Sequence, residues 1–262
     1  AYNKIKRLCT TKSVIVVDNV ALVWVFPAAI FKAFSETYIC TYMFDAQVQR
    51  YYFDMNKMEY EYYSVAKKDD HYQLIQHDTA IENRDTIKIN IYSGKKNYIG
   101  TVPKGKDKSA FGYLSSNWYS RATKEQLKQM KNNIYGFFYN DLKRSPSELN
   151  LWTAFVKNKK DLEGKGYTNG FLACNARAIN SYRNKTAVAY VVNRFMNPYI
   201  IKFFKINGVT ISKDQQLRYG LSELLQFLFR SAIRDHKPIN LYIPSVRMRH
   251  ALQEWLGIPK QD

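Results

Sequence analysis

The sequence predicts an α/β protein with a parallel sheet flanked by helices, and three observations carry that expectation. Apolar strand-like runs alternate with helix-start signals from residue 170 onward, the pattern of strands joined by crossover helices. INLYI at 239–243 is an apolar run short enough for a buried strand and too short for a buried helix. The chain has 262 residues, 46% of them hydrophobic, enough for a core that needs no disulfide or metal staple.

From the amino end, residues 13–17 (SVIVV) and 21–26 (ALVWVF) read as strands around a turn at Asp18-Asn19. Pro27 opens a short helix, AAIFKAF, and TYIC (37–40) reads as a third strand before a helix over 44–53. Residues 59–65 and 71–76 read as strands, and Ile87, Ile89 and Ile91 alternate with polar residues as a half-buried strand does. The composition then shifts: SGKKNYIGTVPKGKDKS at 93–109 is rich in Gly and Lys and reads as a basic hairpin or exposed loop.

Thr123 with Gln126 makes a capping-box pattern, and Leu127, Met130, Ile134, Phe137, Phe138 and Leu142 keep the spacing of a buried helical stripe. Ser145-Pro146-x-Glu148 repeats the start signal, predicting a second helix with Leu149, Trp152, Phe155 and Val156 inward. FLAC (171–174) and AVAYVVN (187–193) read as strands, and Asn197-Pro198 opens a helix. Ser212 with Gln215 starts the longest helix, with a core stripe running from Leu217 to Ile233. After INLYI, Ser245 caps a last helix that stops at Gly257.

Forty Lys and Arg against 22 Asp and Glu give a net charge of +18, a positive field whose commonest partner is phosphate. Mere solubility or an anionic membrane is the rival reading, but no basic amphipathic helix with an apolar face stands out, and the apolar run 20–34 is broken by Pro27 and Lys32. Twenty-one tyrosines suit core edges and base-stacking surfaces alike. Cys9, Cys40 and Cys174 are odd in number and far apart, which predicts reduced thiols and a cytoplasmic setting. The four histidines have no ligand-spaced partners, so no metal site is expected. There is no signal peptide, and the absence of an initial Met suits a fragment or a processed product.

Gly100-x4-Gly105-Lys106 has the glycine and lysine spacing of a phosphate-cradling loop, but Asp107 stands where a magnesium-binding Ser or Thr is required. A basic loop touching a phosphate backbone through Lys104, Lys106 and Lys108, or a solvated hairpin, accounts better for the segment. Without another Gly-Lys-Ser/Thr, the chain lacks the γ-phosphate grip of an ATPase.

Gln226-x3-Arg230-x3-Arg234 falls along one helical face beside the leucine stripe. Two guanidiniums beside an amide can grip a polyanion or act as arginine fingers, or form an ordinary solvated face. Asn175, Arg177, Asn180, Tyr182 and Arg183 crowd the segment after FLAC, where the carboxyl ends of parallel strands place ligands. They offer phosphate and sugar donors and a ring for stacking, or else capped turns with solvated arginines. Arg247 opens the last helix and suits backbone contact or a solvated first turn. No Ser/His/Asp set, no Cys paired with His and no carboxylate cluster for a two-metal nuclease is present.

Three segments, 24–54 (WVFPAAIFKAFSETYICTYMFDAQVQRYYFD), 164–198 (GKGYTNGFLACNARAINSYRNKTAVAYVVNRFMNP) and 221–252 (LSELLQFLFRSAIRDHKPINLYIPSVRMRHAL), resemble superfamily 2 helicases of the DEAD/DEAH-like type carried by phages and plasmids. The resemblance spans most of the chain and implies the carboxyl-terminal motor half: a RecA-like parallel sheet with a basic β-rich and helical insertion around 93–160. Residues 1–58 would be the tail of a first motor domain and a linker, and 59–262 the second motor domain.

By the same resemblance, Ile39-Cys40-Thr41-Tyr42 corresponds to the strand motif coupling two motor domains, with Thr41 at nucleic acid. The 168–183 segment corresponds to the nucleic-acid- and ATP-sensing loop. Gln226, Arg230 and Arg234 correspond to the Gln-Arg-Arg signature that reaches ATP, although this chain lacks the Gly of Q-x-x-G-R-x-x-R and each interval differs by one residue. ATP and Mg²⁺ would be held mainly by a first motor domain in cis or in trans, with none expected on this chain alone. The implied role is the single-stranded DNA- or RNA-binding lobe of an ATP-dependent helicase serving phage or plasmid replication or recombination, inactive as an ATPase by itself. A non-catalytic basic nucleic-acid-binding or assembly module is the alternative.

Overall fold

The computed structural model describes residues 2–10, 14–78, 84–100, 112–177 and 179–260. It divides into two compact units, residues 1–62 with 196–219, and residues 63–195 with 220–262.

The first unit holds α1 (Tyr2–Thr10), β1 (Val14–Val17), β2 (Ala21–Trp24), α2 (Val48–Met55), α6 (Pro198–Ile206) and the opening turns of α7 (Lys213–Leu228). β1 and β2 pair antiparallel, Val14 opposite Trp24 and Val17 opposite Ala21. Asp18 and Asn19 both take φ of 54°, the left-handed conformation that a tight hairpin demands and that short polar side chains tolerate. Val17, Tyr51, Phe203 and Phe204 form the core of this unit. Asn197 caps α6 by accepting from the Tyr199 N–H at 2.9 Å, with Pro198 in the first turn, as the sequence predicts.

The short helix expected after Pro27 is a 3₁₀ helix (Ala28–Ala33). One expectation changes here. TYIC forms no strand, and Tyr38 is 65% exposed. Strand propensity measures fit to a half-buried pleated surface, and no such surface receives this run.

The second unit is built on β5 (Ile89–Ile91), β6 (Asn150–Thr153), β7 (Ala187–Tyr190) and β8 (Ile239–Tyr242). They form one parallel sheet in the order β5-β8-β7-β6, so the α/β expectation holds. α3 (Ser116–Arg121) precedes α4 (Lys124–Gly136), and α5 (Lys159–Leu162) follows β6. α4 and a following π-helical turn (Phe137–Asp141) cover one face, where Met130, Ile134, Phe137 and Phe138 meet Trp152, Ala187, Ala189 and Tyr242. On the opposite face Tyr190 packs against Phe227 of α7, ring centroids 5.4 Å apart. The capping box at Thr123 and Gln126 forms with both reciprocal bonds present. Ser212 and Gln215 do the same for α7. Ser245 caps α8 (Val246–Trp255), and Gly257 beyond it takes φ of 69°. A separate hairpin, β3 (Tyr63–Lys68) with β4 (His71–Gln76), turns at Asp69 and Asp70, both with positive φ.

The helix expected after Ser145-Pro146 is instead a single 3₁₀ turn (Ser147–Leu149) leading into β6, and Val156 is 65% exposed. All four β6 residues are buried, and burial on both faces of a sheet overrides a local start signal on so short an apolar run. FLAC shrinks to one parallel bridge, Phe171 to Trp152, because a turn closed by Ala176 N–H to Ala173 O follows at once. Residues 95–100 form a 3₁₀ turn. Lys104, Lys106 and Lys108 lie outside the described residues.

α7 ends at Leu228, so Arg230 and Arg234 do not continue its face. The Ser231 hydroxyl takes the Leu228 carbonyl at 2.6 Å, and the Ala232 N–H is drawn to Lys185 O at 2.9 Å. Those two bonds replace the next helical rungs, and a 3₁₀ turn (Ala232–Asp235) follows.

Candidate functional site

Leaving the helix does not scatter the arginines. The turn after α7 and the loop after the Phe171 bridge are bonded to each other along their length. Arg177 donates to the side-chain oxygens of Glu223 and Gln226. Arg230 donates to Ile179 O at 3.0 Å, and Arg234 to the Asn180 side-chain oxygen. Arg183 grips Asp235 with both Nε and a terminal nitrogen, the planar fork that carboxylates accept best. The Tyr182 hydroxyl donates to Phe171 O at 3.2 Å, and the Lys185 ammonium lies over the Tyr182 ring. Six of the sequence-predicted residues, Gln226, Arg230, Arg234, Arg177, Asn180 and Arg183, therefore form one surface beside the sheet. Asn175 is exposed on the same loop.

Three more charged groups stand behind that surface. Glu223, 3% exposed, receives Arg177 on one oxygen and Arg194 on the other, the latter at 3.3 Å. Arg247 is turned inward, not solvated: it donates to the Asn193 side-chain oxygen at 3.0 Å and to Arg194 O at 2.9 Å. Its guanidinium stacks over Phe195 at 4.1 Å from the ring centre. Gly220 makes room for it, because a Cβ there would meet Arg194 O at 2.7 Å and a terminal Arg247 nitrogen at 3.2 Å. Thr41 is exposed and belongs to the other compact unit.

The field is unevenly balanced. Burial, then the like charges of Arg177 and Arg234, push the Arg230 guanidinium below its ordinary value. Burial also brings Arg247 down to about 10. The hydrogen bond from Arg183 holds the Asp235 carboxyl below the usual carboxylate range. Burial raises the Cys174 thiol, and Cys9, Cys40 and Cys174 are all free.

Glu223, Asp235 and Arg194 were not singled out from the sequence. Glu223 left one signal, an acid inside a leucine-rich helical stripe, where a carboxylate needs a cationic partner. A cleft of about 540 Å³ in the first unit, walled by Trp24, Phe26, Phe31, Tyr52 and Phe203, is apolar and lacks converging charged groups. Among the described residues no group of three or more His, Cys, Asp and Glu could hold a metal ion, and no helix is long and apolar enough to cross a membrane.

Residues 83–256 match a family described as the YonV C-terminal Rossmann-like domain. The chain is also similar to the SPbeta prophage-derived uncharacterized protein YonV of Bacillus subtilis (strain 168), 43% identical over 259 residues. That alignment covers 97% of this chain and 60% of the relative, so the chain spans about 60% of the relative's length. No solved structure matches it.

Proposed function

The chain belongs to the family of the YonV C-terminal Rossmann-like domain, and we propose that it is the phosphate-facing α/β lobe of a helicase-like nucleic-acid machine. One observation carries the reading: the 175–183 loop and the 226–235 turn, separated in the chain, are hydrogen-bonded into a single arginine-rich surface beside a parallel sheet. In this reading the loop, with Tyr182 and the basic 94–108 segment, binds a single strand of DNA or RNA. Arg230 and Arg234 turn toward the phosphates of ATP. A first motor domain, in cis or in trans, would hold that nucleotide and its Mg²⁺, which would supply the hydrolysable bond and counter its negative charge. The residues of this chain bind and orient, and they donate positive charge where negative charge develops.

The test is ATP turnover with single-stranded DNA. The chain alone should show salt-sensitive DNA binding and no turnover. In a longer protein containing both lobes, Arg230→Ala should abolish turnover and keep DNA binding. Robust turnover by this chain alone overturns the reading.

A second reading is a non-catalytic nucleic-acid-binding module. Its supporting observation is that the arginine surface is completed by hydrogen bonds within one compact unit. It expects binding indifferent to ATP, with Arg230→Ala removing about one phosphate contact from the salt dependence.

A further inference from the structure

The four arginines of this surface are not equivalent. Arg177 and Arg183 are each bonded to a carboxylate, Glu223 and Asp235. Among the described residues, Arg230 and Arg234 donate to neutral acceptors alone, a backbone carbonyl and an amide oxygen. The first pair is bonded directly to its countercharges; the second pair is not, although Arg234 lies within the field of Asp235. A carboxylate as buried as Glu223 is stable only when cations and hydrogen bonds satisfy both oxygens, and Arg177 and Arg194 do so. The same bonds fix Arg177, and through it the start of the loop that supplies Ile179 O and Asn180 to Arg230 and Arg234.

We infer that Glu223 is a positioning residue: with Asp235 it anchors Arg177 and Arg183 as braces of the 175–183 loop, leaving Arg230 and Arg234 as the guanidiniums that meet phosphate oxygens. This rests on the phosphate-binding reading above and assigns different tasks to arginines that look alike in the sequence. The mutual repulsion of Arg230 with Arg177 and Arg234 points the same way, because a bound oxyanion would relieve it. The ligand chemistry is a phosphate oxyanion, from a nucleic-acid strand or from a nucleotide.

The experiment measures binding of a fluorescent oligodeoxythymidylate, and separately of a fluorescent ATP analogue, by anisotropy across a KCl series. The double variant Arg177→Ala/Glu223→Gln removes one cation and one anion, so it leaves the surface charge unchanged. It should weaken binding about tenfold through lost preorganisation while the salt slope stays at the wild-type value. Arg230→Ala and Arg234→Ala should each lower the oligonucleotide slope by about 0.7 if the phosphates belong to a strand. If they belong to a nucleotide, the loss appears in the ATP arm alone, read on a longer protein containing both lobes. A slope that falls in the double variant makes Arg177 a direct phosphate contact and overturns the inference, as does wild-type affinity in that variant. Unchanged slopes in both arms for Arg230→Ala and Arg234→Ala also overturn it. Should the double variant not fold, the less buried pair Arg183→Ala/Asp235→Asn supplies the same two readings. Failure of the wild-type chain to bind either probe defeats the phosphate-binding reading itself, a result distinct from any variant-specific outcome.

Discussion

Gly170 lies so close to Asn150 that a β-carbon at position 170 would stand 2.2 Å from the Asn150 carbonyl oxygen. That oxygen belongs to the backbone of the first residue of β6, and Gly170 closes a 3₁₀ turn (Thr168–Gly170); the Asn150 side chain also donates to Gly166 O at 2.8 Å and accepts the Ser145 hydroxyl. Gly170→Ala must therefore displace either the strand or the loop that follows. We expect a loss of about 1–3 kcal/mol or more, measured by urea denaturation, with no comparable loss for alanine at Gly112, where the same position meets open space.

Trp152 is fully buried between Tyr167 and Phe171, with ring centroids 5.4 and 4.9 Å away. Trp152→Ala should cost about 3–5 kcal/mol, and calorimetry of the whole chain would register it as a lower Tm.

Thr123 holds the amino end of α4 through its reciprocal bonds with Gln126. Thr123→Ala should cost about 1 kcal/mol, whereas Thr123→Ser should be near neutral, both by chemical denaturation.

The Arg183–Asp235 brace should be sensitive to acid and not to base. The Asp235 carboxyl is held below its unfolded value, so its contribution is fully present above that value and is lost as pH falls through the folded one. An NMR titration of the Asp235 carboxyl should give a midpoint below about 3.9, the ordinary aspartate value. Arg183→Ala should move that midpoint upward, and an unmoved midpoint would break the link between the two residues.

Features set by neighbours in sequence were legible. Both capping boxes, the Asn197-Pro198 start, the Ser245 cap and the Asp18-Asn19 turn occur where the residues predict them, because each is completed within about four residues of chain. β6 is not legible in this way, because its four buried residues follow a genuine helix-start signal, and only burial on both faces of the sheet decides between the two. At the candidate site, the basic residues were legible as types and spacings. Their arrangement was not: Arg230 and Arg234 were expected on a helix that the Ser231 hydroxyl terminates first. Glu223 escaped notice because its partners, Arg177 and Arg194, are brought to it only by the folded sheet.

The sheet order carries a consequence for synthesis. β8 is the last made of the four strands in this sheet and yet lies between β5 and β7, with Ile89 paired to Ile239 across 150 residues of chain. Until the ribosome has released residues 239–242, β5 has no partner in the sheet and β7 presents an open edge. A nascent polypeptide in that state is exposed to aggregation and to holding chaperones. Premature termination anywhere before β8 therefore yields a divided sheet, not a smaller version of the same lobe.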